Sequence, residues 1–555
     1  MNKERMCRLS WGPMGAIEVN GIAYRLPTGR LLFDDVSFRV GEGITAALVG
    51  DNGAGKSTLF KIITGVLNAD EGSTSVSGGL GVMPQLLTGA AKKVEENDTA
   101  LASLGLNATV ADALKVVSPK RIQEAIKHVE ACELAMMEDE SEEIQMKYAH
   151  ALAEYADAGG YDNEILWDVC CQAAVGMEYE KCKFRELKTL SGGQAKRLIL
   201  EALLRGPDQV LLLDEPDNYL DVPAKNWLED QLRESSKTIL LISHDRTLLT
   251  RAADRIITIE GGTSWVHGKG FGTYYEARQE RHERLGELLK RWEDEHQRLK
   301  DLVQTLHMQT KSSPAMAPKY RAMQTRLKRF EEAGAPQAPP PPQRLKMKLK
   351  GGRTAVRAIV CKNLQLTDLT KPFDMELFYG ERVAFLGGNG TGKSHFLRLL
   401  GGDETVRHIG DWKLGSRVVP GWFAQTHDHP EWSRKTLTEI LWEEKSLQIA
   451  AAVGTLSRYG LGAQSDQLFL TLSGGQQARF QICLLELSGA TLLLLDEPTD
   501  NLDITSSEAL EAALDVFDGT VLTVTHDRWF VQNFDRFFLL DKEGNVKEVQ
   551  EPVWT

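Results

Sequence analysis

The sequence predicts an α/β protein: two similar domains, each built on a parallel sheet, joined by a long α-helical hairpin. Three observations predict it. Four short motifs occur twice in the same order along the 555 residues. Each half also carries strand-length apolar runs that end abruptly in glycine, aspartate or a His-Asp pair, as buried parallel strands do where they reach a ligand edge. Between the halves lies a charged stretch whose apolar residues recur at helical spacing.

The repeat comes first because it organises the rest. Gly50-Asp51-Asn52-Gly53-Ala54-Gly55-Lys56-Ser57 returns as Gly387-Gly388-Asn389-Gly390-Thr391-Gly392-Lys393-Ser394. Leu190-Ser191-Gly192-Gly193-Gln194 returns as Leu472-Ser473-Gly474-Gly475-Gln476, Asp214-Glu215-Pro216 as Asp496-Glu497-Pro498, and Ser243-His244-Asp245-Arg246 as Thr525-His526-Asp527-Arg528. From the Ser-Gly-Gly-Gln element onward every pair lies 282 residues apart, whereas Gln85 and Gln425 lie 340 apart. The first half therefore carries 58 extra residues (340−282) between Gln85 and Ser191. That insertion, an arm at about 105–165, predicts a helical hairpin over Pro119 to Met137 and Ser141 to Ala158, rich in Ala, Glu, Lys and Met. Its tip is acidic (Glu138, Asp139, Glu140, Glu142, Glu143), and Gly159-Gly160 closes the second helix.

Residues 1–13 form an extension before the first domain, 14–275, and a linker, 276–350, precedes the second domain, 351–555. The linker predicts one helix from Glu276 to about Met308, a turn from Ser312 to Pro318, a second helix from Lys319 to Ala333, and a stiff extended run Pro336 to Pro342. Between His296 and Phe330 eight basic residues (Arg298, Lys300, Lys311, Lys319, Arg321, Arg326, Lys328, Arg329) face one acid, Asp301. The whole chain has a formal charge of −13, so nucleic-acid binding has to be argued from this local charge. Read from charge alone, a solvated spacer and an RNA-binding hairpin stand level.

Composition excludes other classes. Hydrophobic content of 42% and charged content of 26% are those of a globular protein, and no apolar run is long enough to span a membrane. The charged N-terminus is not a signal peptide. Seven scattered cysteines with no CxxC pair argue against a disulfide framework or a zinc site, and place the chain in a cytoplasmic setting.

The Gly-rich motif demands a strand, a tight turn and a helix N-terminus, whose N–H groups and dipole cradle phosphate. Ala46 to Val49 and Val383 to Leu386 supply the strands. Lys56 and Lys393 would bind β/γ-phosphates, with Ser57 and Ser394 on Mg²⁺. Val210 to Leu213 and Thr491 to Leu495 deliver Asp214 and Asp496, which orient Mg²⁺, and then Glu215 and Glu497, which can polarise water. A lone histidine is more often structural, but His244 and His526 stand at one spacing from the acids, which favours γ-phosphate sensing.

In order and spacing these motifs, with Asn218-Tyr219-Leu220-Asp221 and Asn501-Leu502-Asp503, resemble the ABC ATPase superfamily. Two cassettes, no membrane span, an inserted arm and a basic helical linker resemble its ABC-F family of translation factors. The resemblance implies an ATPase with two ATP sites and Mg²⁺, a monomer whose cassettes close head-to-tail. It implies nucleotide contacts from Tyr24, Gly50, Asn52, Gly53, Gly55, Lys56, Ser57, Thr58 and Gln85, completed by Ser473, Gly474, Gly475 and Gln476. The second site would comprise Gly387, Asn389, Gly390, Gly392, Lys393, Ser394, His395 and Gln425, completed by Ser191, Gly192, Gly193 and Gln194. Gln85 and Gln425 join the serines and aspartates around Mg²⁺.

It also implies a 70S ribosome partner: linker in the E site, its tip towards P-site tRNA and 23S rRNA. The acidic arm tip suits a basic ribosomal protein or is a solvated turn. Tyr24 could stack on adenine or belong to the strand core; the second half offers only Leu366 and Leu369 nearby. Asp217-Asn218-Tyr219 and His395 depart from the usual residues and resemble the actinobacterial ribosome-protection branch. The readings are then protection of the ribosome from peptidyl-transferase or exit-tunnel antibiotics, a housekeeping role on P-site tRNA, or the ATPase subunit of an exporter. A chromosome or DNA-repair ATPase would need zinc modules or longer coiled coils, which the sequence lacks.

Overall fold

The computed structural model describes residues 15–27, 29–83, 108–139, 141–340, 345–424, 429 and 431–554. Its contacts divide into two compact units, one holding both sheet-bearing halves and the other Lys269–Pro342.

In the first half the strands Leu80–Met83, Val210–Asp214, Thr238–Ile242, Thr45–Val49 and Arg255–Glu260 lie side by side in that order, all parallel. The second half repeats the order with Pro420–Phe423, Leu492–Asp496, Thr520–Val524, Arg382–Gly387 and Arg536–Leu540. The three inner strands of the first half are buried along their whole length, because both faces are covered, one of them by the helix Lys56–Ile63 together with the strands Ile17–Arg25 and Leu31–Val40. This is why they appear in the sequence as continuous Val/Ile/Leu runs rather than alternating ones. An antiparallel group accompanies each parallel set: Ile17–Arg25, Leu31–Val40 and Glu71–Val76 in the first half, continuous with it where Asp35 pairs with Thr263, and a separate sheet of Arg357–Leu366, Phe373–Phe378 and His408–Leu414 in the second. Because the central strands are parallel, their C-terminal ends meet at one edge. Gly50, Asp214 and Ser243-His244 are brought together there, and so are their second-half counterparts.

The 58 extra residues resolve into two pieces. Thr109 and Thr436 each open a helix with a capping box and each make an isolated bridge, to Glu186 and to Leu468. Glu186 and Leu468 lie 282 residues apart but Thr109 and Thr436 lie 327 apart, so 45 of the extra residues fall after Thr109. The other 13 (340−327) fall between Gln85 and Thr109. The 45 form the antiparallel helices Lys120–Glu138 and Glu142–Asp157, joined across by His128 to Glu154 at 2.6 Å and Tyr148 to Glu133 at 3.1 Å. Gly159 takes φ 84° and turns the chain directly into the next helix, Gly160–Val175. Only glycine fits at 160, where a Cβ would sit 2.2 Å from the Tyr155 ring. Glu140 of the acidic tip lies outside the described residues.

The second unit is a helical hairpin: a 39-residue helix Tyr274–Ser312, a turn at Pro314–Met316 and a helix Ala317–Glu332. Pro318 occupies the first turn of the second helix, where its missing N–H costs nothing, so the helix opens before the proline rather than after it. Trp292 stacks on Phe330 with centroids 5.3 Å apart, and His296 meets Glu331 at 2.8 Å. In the other unit, Met347 and Leu349 are buried in the second half's core.

Candidate functional site

Each Gly-rich loop is shaped by what lies beneath it. Gly55 has φ 96°, and a Cβ there would stand 2.6 Å from the Phe33 ring. Gly392 has φ 108° and rests on Leu369, 3.1 Å from its would-be Cβ. Above Gly53 and Gly390 nothing lies within 4 Å of a Cβ, which leaves an open cradle at the N-termini of the helices Lys56–Ile63 and Lys393–Leu400. Lys56 Nζ donates to the carbonyls of Gly50 at 2.7 Å and Asp51 at 3.3 Å; Lys393 Nζ donates to Gly387 at 2.9 Å and Gly388 at 2.6 Å. Burial pushes both lysines below their ordinary range, while Asp503, Glu215 and Asp214 around Lys56, and Glu497 and Asp496 around Lys393, work against it. Two buried cations over open amide cradles are a setting for polyphosphate.

The acids stand on the adjoining strand ends. Ser394 Oγ donates to Asp496 Oδ1 at 3.0 Å, and Ser57 acts on the Asp214 carboxyl in the same sense. Burial lifts the Asp496 carboxyl to about 6, with the Ser394 hydrogen bond and Lys393 opposing, and raises Asp214 as well. Among the described residues no three His, Cys, Asp or Glu side chains converge on one point. A serine hydroxyl with a single buried carboxylate fits Mg²⁺ that takes its remaining oxygens from phosphate and water.

Glu215 and Glu497 share an unusual left-handed backbone, φ 47° in both. Their partners differ. Glu215 accepts from Asn218 Nδ2 at 2.6 Å; Glu497 accepts the His526 N–H at 2.9 Å, and burial beside Asp500 holds its carboxyl well above the usual range. Burial likewise depresses both histidines, His244 to about 3. Each is a neutral imidazole, and each buries an Nδ1 that has no hydrogen-bond partner.

The Ser-Gly-Gly-Gln helices complete the arrangement across the two halves. Ser191 and Ser473 cap the helices Gly192–Arg205 and Gly474–Leu487, with the amide oxygens of Gln194 and Gln476 accepting the serine N–H groups in return. Both glutamines are thus occupied with the cap. Gly475 sits against the first loop so closely that a Cβ would fall 2.0 Å from Asn52 Nδ2. Asn52 also donates its N–H to Asp503 at 2.7 Å and its amide to the Asn501 carbonyl at 3.2 Å. In the opposite sense Asn389 Nδ2 donates to the Tyr219 carbonyl at 3.0 Å, beside Gly193. Each loop therefore faces the other half's serine-capped helix.

Comparison with known proteins gives the same architecture. Residues 33–218 and 370–500 match the family described as ABC transporter. A Mycobacteroides abscessus protein named "Antibiotic resistance protein" is 51% identical over 98% of this chain and 100% of its own length. "ABC transporter F family member 5" of Arabidopsis thaliana is 29% identical, covering 94% of this chain and 74% of that one. "Tylosin resistance ATP-binding protein TlrC" of Streptomyces fradiae is 28% identical over 96% of this chain and 98% of its own. The chain belongs to the ABC-F family of ABC ATPases. It binds and hydrolyses ATP, and among its described residues no helix is long and apolar enough to cross a membrane.

Within this ABC-F chain the remaining sequence candidates sit unequally. Tyr24 pairs with Phe33 and packs half-buried against the first half's core. Leu366 is wholly core, and His395 is exposed beside the second loop. Gln85 and Gln425 lie outside the described residues. Sequence reasoning assigned nothing to Arg246 and Arg528. Arg246 pairs with Glu511 of the other cassette and Arg528 with Glu229, a reciprocal set. The signal was available, since 246 to 528 and 229 to 511 are both 282 apart.

Proposed function

We propose that this ABC-F ATPase closes on two ATP·Mg²⁺, binds the ribosomal E site in that form, and through its hairpin protects the ribosome from peptidyl-transferase or exit-tunnel antibiotics. The observation that carries the RNA partner is the hairpin's far end, where all eight basic side chains between His296 and Phe330 are exposed. Among the described residues Lys300, Lys311, Lys319, Arg321 and Arg329 have no carboxylate partner. Such a surface gains from displacing counterions on rRNA or tRNA phosphates. The drug-protective reading draws on the names borne by the Mycobacteroides and Streptomyces relatives.

In the sites, Lys56 and Lys393 bind the phosphates, and Ser57 with Asp214, and Ser394 with Asp496, hold the metal, with Gln85 and Gln425 beside them. Bound Mg²⁺ supplies charge neutralisation for the transferred phosphoryl group. Glu215 and Glu497 orient the attacking water and take its proton. His244 and His526 donate a ring N–H to the γ-phosphate. Ser473 to Gly475 close over Lys56, and Ser191 to Gly193 over Lys393. Hydrolysis reopens the pair and releases the ribosome.

The test is expression in a sensitive host, followed by inhibition curves for macrolides, lincosamides and streptogramins. The expected result is a raised inhibitory concentration for at least one class, abolished by Glu215→Gln with Glu497→Gln. An unchanged profile for all three classes overturns the protective role.

A further inference from the structure

The two cassettes differ beside their catalytic glutamates. Lys196, on the helix Gly192–Arg205, is only 2% exposed, and its ammonium donates to the backbone carbonyl of Glu215. The same ammonium lies 5.7 Å from the Tyr219 ring centroid. The charges that act most on it are Asp217 and Glu215. Asp217 in turn shares the buried Lys225, whose Nζ meets Asp245 Oδ2 at 3.0 Å. At the positions 282 residues on, the second cassette has Ala478, Thr499 and Ser507 in place of Lys196, Asp217 and Lys225. An ammonium taken out of water costs several kcal/mol, so a folded half that could hold alanine here has kept a costly group.

We propose that Lys196 is a positioning residue that couples the two ATP sites, tying the catalytic Glu215 of one to the capping helix and Tyr219 loop of the other. Its helix begins at Ser191, which faces the loop of Lys393, while its ammonium holds the carbonyl of Glu215, which serves the loop of Lys56. Tyr219 adds a second arm: its ring lies under the ammonium, and its carbonyl accepts from Asn389 at the second loop. Tyr219 is held at φ 66°, a left-handed conformation unfavourable for tyrosine; the counterpart at φ 64° is Asn501, which tolerates it. The cation over the ring compensates for that strain. A shift of the capping helix as nucleotide enters the Lys393 site therefore moves the Glu215 backbone, and linkage makes the effect reciprocal in binding. Among the described residues the second cassette, with Ala478, shows no equivalent connection. Coupling through a side chain thus runs along one cassette.

The inference rests on the assignment of Glu215 and Glu497 to separate sites, and the full chain tests both. Glu497→Gln leaves turnover to the Glu215 site and Glu215→Gln leaves it to the other. If either substitution alone leaves turnover unchanged, the site assignment fails. If both lower it, Lys196→Met in each background tests the coupling. The expected result is a kcat at least tenfold lower at the Glu215 site with little change in KM, and a KM several-fold higher at the Lys393 site with kcat retained. Should Lys196→Met fold poorly by thermal melting, Tyr219→Asn keeps the lysine and the left-handed turn, and is expected to raise KM at the Lys393 site. Equal losses at both sites, a change confined to the Glu215 site, or an unaltered KM in Tyr219→Asn overturns the proposal.

Discussion

The reciprocal ion pairs between the cassettes make a quantitative prediction, because their surroundings are unequal. The Arg246 and Glu511 side chains are 4% and 14% exposed, and Trp529 lies 5.2 Å from the guanidinium. In Arg246→Ala, Glu511 loses its paired cation, and the like charges Asp527 and Glu508 still act on it. Leaving a buried carboxylate unpaired costs about 3–5 kcal/mol. At roughly 1.4 kcal/mol per tenfold, cassette closure weakens by about two to three and a half orders of magnitude. In Arg528→Ala, Glu229 still accepts from Arg251 at 3.0 Å, and Asp245, 3.8 Å from Arg528, keeps Lys225 at 3.0 Å, so each carboxylate retains a cation and the loss is about 1.5–3 kcal/mol, at most about a hundredfold. The assay is the apparent dissociation constant of a fluorescent ATP analogue in the Glu215→Gln, Glu497→Gln background, where closure is not reset by hydrolysis. A double-mutant cycle with Glu511→Ala isolates the pair. Equal weakening by Arg246→Ala and Arg528→Ala, or a coupling energy below about 0.5 kcal/mol, refutes the reasoning.

Three further outcomes are expected. Gly475→Ala drives a Cβ into Asn52 and Asn501, 2.0 and 2.7 Å away, and abolishes ATP-driven closure, whereas Gly193→Ala meets the Tyr219 carbonyl at 3.0 Å and Asn389 Nδ2 at an ordinary 3.8 Å and is far milder; steady-state ATPase rates separate the two. Glu486 accepts from Arg458, Tyr459 and the Lys348 N–H; burial alone would raise its carboxyl, but these bonds hold it below its usual 4.5. Its stabilisation is therefore complete above pH 4.5 and lost as pH falls through the depressed value, so Glu486→Gln costs about 2 kcal/mol in urea unfolding at pH 7 and progressively less below pH 4.5. Trp292→Ala removes the stack on Phe330 and loosens the hairpin by about 1–2 kcal/mol, seen as faster proteolysis between residues 300 and 325 with the ATPase rate retained.

Much of the fold was legible because its signals are local. Strands buried on both faces announce themselves as apolar runs, and Gly55 or Gly392 is required by a turn that only glycine makes. The repeat interval even measured the insertion, although the sequence alone could not divide it. The capping boxes of Thr109 and Thr436 did that, through their bridges to Glu186 and Leu468. Long-range partnerships were not legible. Nothing local in Asn52 says that it meets Asp503, 451 residues away, or that Glu511 waits for Arg246. Lys196 was hidden for a different reason: a lysine on an amphipathic helix looks solvated until the packing shows it buried against Glu215. The hairpin turn was misplaced by Pro318, which breaks a helix interior but suits a helix start.

The central claim is that ATP closure creates the ribosome-binding form, and co-sedimentation tests it most directly. The Glu215→Gln, Glu497→Gln protein is spun with 70S ribosomes through sucrose, with ATP, with ADP and without nucleotide. The account predicts near-stoichiometric protein in the ribosome pellet with ATP alone, lost on reversing the charge of Lys311, Lys319 and Arg321 together. Pelleting that is absent with ATP, or equal with ADP, contradicts it.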